Sequence, residues 1–151
     1  QELMLKRGVY IAHSPESNMN LASGVAPVNQ FIDRGLHVGL ATDVAGGSHE
    51  SMLKAMMHAI QASKLRWRLL DQTVKPLSFE RAFYLAPMGG GQFFGKVGSF
   101  LDGYELDAVV LDDESLEHPQ QLSPRARLER MVYLADERNI CAKFVSGRKI
   151  L

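Results

Sequence analysis

The sequence has few of the features that mark disulfide-rich, membrane or nucleic-acid-binding proteins. Its 151 residues include a single cysteine, Cys141, which excludes an internal disulfide and favours a reducing compartment. No uninterrupted apolar run approaches the roughly 18 to 20 residues that span a bilayer. Seventeen basic residues balance seventeen acidic ones, so the chain has no net positive charge to attract phosphate backbones or anionic lipid. We therefore expect a cytoplasmic protein with no nucleic-acid partner and no membrane partner.

The composition is that of an ordinary globular chain, with 46% hydrophobic and 23% charged residues, and it predicts a packed core. The chain begins without methionine, and its first seven residues are typical of the end of a helix that Gly8 terminates. This beginning suggests a fragment, although a short domain that opens with a helix would look the same.

The first half of the chain alternates predicted strands and helices. A buried strand that ends in a Ser14-Pro15 turn, a helix, a second strand and a second helix are predicted at residues 9–13, 26–34, 36–42 and from 48 onward. Short loops connect these elements. This order favours parallel strands joined by right-handed crossovers.

The second half has a different character. It is predicted to contain a helix from Ser78 that stops before Pro87, a turn-rich segment, a strand in another layer, a linker, a helix and a hairpin, at 78–86, 95–103, 107–112, 117–119, from 123 and at 142–151. Gly147 supplies the positive φ angle that the hairpin turn requires. No internal repeat is present.

Asp43 is the strongest chemical candidate that the residues themselves offer. It follows an apolar strand and precedes the glycine-rich segment Val44–Gly47. Catalytic groups project from this position in barrels of alternating strands and helices. A carboxylate there could bind a metal ion or accept a proton. It could equally cap the following turn, since aspartate is common at such sites.

The five histidines give weaker signals. His13 also ends a strand, where it could be a ligand or a hydrogen-bonded core residue. His49 could reach the same edge, although we expect it to lie in solvent, and the positions of His37, His58 and His118 do not suggest ligands. Catalytic zinc usually takes about three protein ligands, and no His-X-His, Cys-X-X-Cys or His-Glu-X-X-His motif is present. A self-contained zinc site is therefore not predicted.

Gly89-Gly90-Gly91 could cradle a phosphate group at a helix N-terminus. The segment lacks the lysine and the spacing of a P-loop. Close packing of two chain segments is the interpretation that we favour.

Two segments together resemble the guanine deaminases of the amidohydrolase superfamily. These are Ile11–Gly24, which contains His-Ser-Pro-Glu-Ser-Asn, and Gly39–Gly47, which contains Ala-Thr-Asp-Val-Ala-Gly-Gly. Members of this superfamily that deaminate purines commonly show His-Cys-Pro-X-Ser-Asn after the seventh barrel strand and Gly-Thr-Asp after the eighth. Further similar segments extend the resemblance over nearly the whole chain, at 82–86, 89–91, 95–100 and 133–140.

The resemblance implies an α/β fold, namely the C-terminal part of a metal-dependent (β/α)8 TIM barrel. Residues 1–94 would hold the last two strands with their helices, and residues 95–151 would hold strands of the flanking small β-sandwich and a helix. It implies hydrolysis of guanine to xanthine and ammonia by metal-activated water, with one Zn²⁺ per site. The other ligands, the catalytic glutamate and most guanine contacts would lie outside this chain, which would be inactive alone.

By the same resemblance, Asp43 matches the aspartate that binds the metal, accepts a proton from the attacking water and helps pass it to ammonia. His13, Ser17 and Asn18 match a turn that shapes the rim of the substrate site. Ser14 departs from the usual cysteine and Pro87 from a common threonine, and neither departure touches Asp43.

A homodimer with guanine as its small-molecule substrate completes these expectations. Two alternatives stay open. The same scaffold could deaminate another purine, an S-adenosylhomocysteine-type compound or a triazine. The chain could also be a non-catalytic scaffold, because its charge is neutral and most metal ligands are missing from it.

Overall fold

The computed structural model describes residues 1–116 and 118–151. The first two strands, β1 (Tyr10–His13) and β2 (His37–Leu40), pair in parallel, with Tyr10 opposite His37 and His13 opposite Leu40. The predicted parallel arrangement is confirmed. Three further strands, β3 (Ala108–Leu111), β4 (Ile140–Val145) and β5 (Arg148–Lys149), form a separate antiparallel sheet in the order β3-β4-β5.

Helices surround the parallel pair. They are α1 (Glu2–Lys6), α2 (Pro15–Asn20), α3 (Val28–Asp33), α4 (Met52–Leu69), α5 (Phe79–Tyr84) and α6 (Pro124–Leu134). The hydroxyls of Ser51, Ser78 and Ser123 accept hydrogen bonds from backbone N–H groups in the first turns of α4, α5 and α6. None of the helices in the described ranges is long and apolar enough to cross a membrane.

Two expectations at β1 are wrong. The strand was expected to be buried, yet Tyr10 and Ala12 are exposed and only His13 is fully buried. Among the described residues β1 has β2 as its single strand partner, so one edge of β1 lacks a hydrogen-bonded neighbour. The Ser14-Pro15 pair does not form a simple turn but begins α2, in which Pro15 occupies the first turn.

The main core lies between β2, α4 and α5. Its buried residues are Val28, Leu36, Val38, Leu40, Met56, Ala59, Ile60, Leu77, Phe79, Ala82, Leu85 and Val132. Val132 belongs to α6, so this helix packs against the first part of the chain. The boundary between residues 94 and 95 stays a prediction.

The helix after Ser78 does not stop before Pro87 as expected. It continues from α5 into a π-helical turn, Leu85–Gly89, in which the Gly90 N–H donates to the carbonyl of Leu85. Proline has no N–H to donate, and this wider turn accommodates it. The strand β2 and this turn approach each other closely. A Cβ atom on Gly39 would lie only 2.7 Å from the Gly90 Cα. The glycines therefore serve close packing, as favoured from the sequence.

The hairpin predicted near the end of the chain is confirmed. Ser146 and Gly147 both have positive φ angles, of 47° and 76°, in the turn between β4 and β5. Asn139, just before β4, contacts the residue that follows β3, because its side-chain amide donates to the Asp112 carbonyl over 2.8 Å. The predicted linker at 117–119 includes Glu117, which lies outside the described residues.

Candidate functional site

The carboxyl ends of β1 and β2 lie at one edge of the parallel pair. The Ala41 N–H donates to the His13 carbonyl over 2.9 Å, which continues the strand pairing by one residue. Both chain segments then leave the sheet, one into α2 and the other into the loop 41–51. The side chains that follow the two strands are therefore brought together, as they are in α/β barrels.

Asp43 occupies this edge in a left-handed backbone conformation, with φ of 52°. Aspartate and asparagine adopt this conformation more readily than most residues. The Asp43 side chain points toward α2, where the Ser17 hydroxyl donates to Oδ2 over 2.6 Å. Ser17 is buried, whereas Asp43 is exposed. One carboxylate oxygen is thus fixed, and Oδ1 accepts no hydrogen bond from the described part of the chain.

Gly46 makes room for this pair. A Cβ atom at position 46 would lie 2.7 Å from the Ser17 Oγ and 2.8 Å from the Asp43 Oδ2, closer than real contacts allow. The Gly46 carbonyl accepts a 2.9 Å hydrogen bond from the Asn20 amide. Two residues of α2 therefore hold the loop, one at Asp43 and one at Gly46.

The other two expected rim residues differ in their surroundings. His13 is buried, and this burial lowers its pKa to about 4, so the ring is neutral near pH 7. Asn18 is half-buried, and its backbone N–H donates to the Ser14 carbonyl. Of the predicted site residues, the structure pairs Ser17 with Asp43, while the described residues offer the Asn18 side chain no hydrogen bond.

A second cluster lies beside this site and was not predicted. Glu16 of α2, His49 of the loop and His58 of α4 direct one ligand atom each toward a common region, all within 4.8 Å of one another. The Ser48 hydroxyl and N–H donate to the Glu16 carboxylate, which holds the pKa of Glu16 below its usual value. Burial lowers the pKa of His58.

The expectation of solvent for His49 is wrong, because its side chain is only 12% exposed. Its contacts come from Glu16 and His58, which are remote from it in sequence. No spacing rule connects these three residues. The one available signal was the presence of three ligand-type side chains on elements that meet at the same sheet edge.

The family model of amidohydrolases matches residues 2–150. The chain therefore belongs to the amidohydrolase family. The mixed α/β fold, with its parallel strands and carboxylate at their carboxyl ends, agrees with this membership.

Within the family, the chain is similar to guanine deaminases. It is 35% identical to guanine deaminase of Homo sapiens, over 97% of this chain and 34% of that protein. It is 42% identical to guanine deaminase from C. acetobutylicum, solved with guanine in the active site, with a TM-score of 0.93 over 99% of this chain and 36% of that one. An adenosine deaminase from Xanthomonas campestris with bound zinc is 26% identical, with a TM-score of 0.82 over 99% of this chain and 34% of that one. The chain spans about a third of the length of the curated relatives it matches.

Proposed function

We propose that the protein containing this chain hydrolyses guanine to xanthine and ammonia. In this reaction water adds to the ring carbon that bears the exocyclic amine, a C–O bond forms, and the C–N bond breaks. The observation that carries the proposal is the Ser17–Asp43 pair at the carboxyl edge of parallel strands, in a chain similar to an enzyme solved with guanine bound.

A divalent metal ion fits the chemistry of Asp43. The carboxylate is an oxygen ligand, its Oδ1 accepts no hydrogen bond from the described residues, and Gly46 leaves space beside it. A catalytic zinc site uses about three protein ligands, so we propose that the remaining ligands come from segments outside this chain. Such a metal supplies the Lewis acidity that makes water a nucleophile near neutral pH.

The residues of this chain would position the Asp43 carboxylate and transfer a proton through it. Ser17 fixes Oδ2 of the Asp43 carboxylate, and Oδ1 accepts no hydrogen bond from the described residues. The carboxylate would accept a proton from the attacking water and deliver it to the departing amine, a role that requires hydrogen-bonding distance to both groups. His13, Ser17 and Asn18 would shape the rim of the guanine site.

The finer architecture follows from the same proposal. We propose that β1 and β2 are the last two strands of a (β/α)8 barrel, and that residues 95–151 contribute to the small β-sandwich beside it. The full-length enzyme would be a cytoplasmic homodimer that binds one Zn²⁺ per active site. Exposed apolar side chains such as Tyr10, Leu21 and Leu70 would then contact other parts of that protein.

The test is a substrate panel with the full-length protein. Guanine, adenine, adenosine, an S-adenosylhomocysteine-type compound and an amino-triazine are each assayed for ammonia release, and guanine reactions also for xanthine. We expect turnover of guanine to exceed that of every other compound. Turnover of adenine-type compounds without turnover of guanine would contradict the proposal. A protein that releases no ammonia from any compound and holds no divalent metal would be a scaffold.

A further inference from the structure

The Glu16–His49–His58 cluster shares no side chain with the Ser17–Asp43 pair. The His49 Nε2 atom lies 3.2 Å from the Glu16 Oε2 and 3.3 Å from the His58 Nδ1. Three separate elements supply these atoms, namely α2, the loop and α4. Because these elements pack against one another, the relative positions of the three side chains are set by the fold.

These separations match those between ligands of one tetrahedral metal ion. Zinc binds imidazole nitrogen and carboxylate oxygen at about 2.0–2.2 Å, which places tetrahedral ligand atoms about 3.3–3.6 Å from one another. The two distances from the His49 Nε2 atom fall at or just below that range. The third pair, Glu16 with His58, lies within 4.8 Å and requires a small adjustment of one side chain.

Hydrogen bonding alone accounts poorly for this arrangement. The His49 Nε2 atom can carry a single proton, yet both of its neighbours present acceptor atoms when Glu16 is ionised and the His58 Nδ1 is unprotonated. The other ring nitrogen of His49, Nδ1, is buried and has no hydrogen-bond partner in the described part of the chain. A cation would satisfy all three converging lone pairs at once.

We propose that Glu16, His49 and His58 form a binding site for a divalent transition-metal ion of the zinc type. Two imidazole nitrogens with one carboxylate oxygen favour zinc-like ions over Mg²⁺ and Ca²⁺, which prefer oxygen ligands. The side chains of His49 and Glu16 are 12% and 17% exposed. Water can therefore reach the cluster and complete a four-coordinate site.

The outer contacts of the cluster indicate a reversible site. The Glu16 carboxylate is held by the N–H and hydroxyl of Ser48, as in sites whose ligands are oriented by second hydrogen bonds. In contrast, a metal at Nε2 of His49 places the ring proton on Nδ1, for which the described residues offer no acceptor. Missing outer contacts commonly lower metal affinity by about 10- to 100-fold. We therefore expect an ion that exchanges with solvent.

Bound metal would join α2 to the start of α4. Glu16 precedes Ser17, so the same helix segment would be held by the metal on one side and by Asp43 on the other. Occupancy would therefore stabilise the folded protein, by an amount that increases with the logarithm of the free metal concentration above the Kd. This effect does not require that the protein deaminate guanine.

The experiment uses the full-length protein with Asp43→Asn, so that the proposed catalytic ligand is removed from every sample. Zn²⁺ is titrated in competition with a chromophoric chelator. His58→Ala and Glu16→Gln are introduced separately into this background, and His118→Ala removes an exposed histidine elsewhere as the matched control. We expect the background and the control to bind the same number of Zn²⁺ equivalents, and each cluster variant to lose one equivalent or bind it at least about tenfold more weakly.

Circular dichroism identifies any variant that does not fold. In that case Co²⁺ is added to the Asp43→Asn protein beyond the amount that the remaining ligands of the proposed catalytic site bind, and a further visible absorption typical of four- or five-coordinate Co²⁺ with nitrogen ligands is expected. Glu16→Gln keeps the size of the side chain and serves as the milder variant. Equal Zn²⁺ affinity in the background and both cluster variants, or no further Co²⁺ absorption where the variants do not fold, would overturn the proposal. Neither result depends on the activity toward guanine.

Discussion

Glu16 and Ser17 are consecutive residues of α2 that hold two different chemical groups on the same loop. Ser17 is buried and donates to Asp43, while Glu16 is half-buried and contacts Ser48 and His49. The first contact is part of a pattern that the sequence displays. The second depends on side chains whose positions only the folded chain reveals. One short helix therefore contributes to a site that the sequence pattern indicates and to a cluster that only the folded structure shows.

The largest expected difference between the two regions concerns Asp43→Asn. Asparagine also tolerates a positive φ angle, so the loop should keep its conformation. The amide cannot accept the proton from water, and loss of a general base commonly costs about 10²- to 10⁴-fold in rate. We expect kcat for guanine in the full-length enzyme to fall by about 10³-fold or more, with an unchanged circular dichroism spectrum.

A turnover close to that of the unmodified enzyme would refute the role of Asp43. His58→Ala is the comparison variant, because it alters the neighbouring cluster and leaves Asp43 intact. If His58→Ala lowered kcat as much as Asp43→Asn, the two regions would act as one site.

Local signals explain most of the fold that the sequence predicted. The helix starts at Ser78 and Ser123 follow from serine caps, and the parallel strands follow from their order with helices between them. The helix expected from residue 48 onward begins after Ser51 instead. The α2 helix was missed because its six residues are too few to show a helical period. The continuation through Pro87 was missed because the π-helical turn depends on packing against β2.

The candidate site divides in the same way. The position of Asp43 at a strand end was visible because the strand, the aspartate and the glycines are contiguous in the sequence. The assignment of Ser17 to the rim rested on the family resemblance, and its bond to Asp43 required the structure. His49 and Glu16 could not be paired from the sequence, since their contact depends on how α2 and the loop fold together.

The second prediction concerns the pH dependence of stability, which should come from the buried side of this region, at His13. Burial lowers the pKa of His13 from 6.5 to about 4, so the unfolded state binds the proton more tightly than the folded state. Its stabilising contribution is complete above about pH 6.5 and is lost as the pH falls toward 4, with a total of about 3 kcal/mol. We expect the free energy of unfolding of the full-length protein to decrease over this range.

His13→Gln removes that titrating group. Denaturant unfolding at a series of pH values should show a flatter profile between pH 6.5 and 4 for His13→Gln than for the unmodified protein. His37→Gln, at the exposed opposite end of the pair of strands, is the control. A profile for His13→Gln that parallels the unmodified protein would show that the ring of His13 is accessible to protons in the folded state.

Ser17→Ala should have a smaller effect than either of these changes. It removes the 2.6 Å hydrogen bond to the Asp43 Oδ2 and leaves the carboxylate free to rotate. A hydrogen bond to a charged group contributes about 1.5–3 kcal/mol, which corresponds to about a 10- to 150-fold decrease in kcat/KM. Ser14→Ala, whose hydroxyl makes no capping hydrogen bond to α2, is the matched control. Equal kcat/KM values for the two variants would mean that Ser17 does not position Asp43.

Ser48→Ala should have the smallest effect and should act on the Glu16 cluster. The substitution removes the hydroxyl donor to Glu16, while the backbone N–H of residue 48 still donates over 2.9 Å. Because this carboxylate is partly exposed, we expect a loss of about 0.5–1 kcal/mol, or about two- to fivefold in Zn²⁺ affinity in the Asp43→Asn protein. Chelator competition measures it beside His58→Ala, for which the loss should be larger. If Ser48→Ala abolished Zn²⁺ binding as completely as His58→Ala, the orientation of Glu16 would depend on the hydroxyl, and the backbone N–H would be insufficient to hold it.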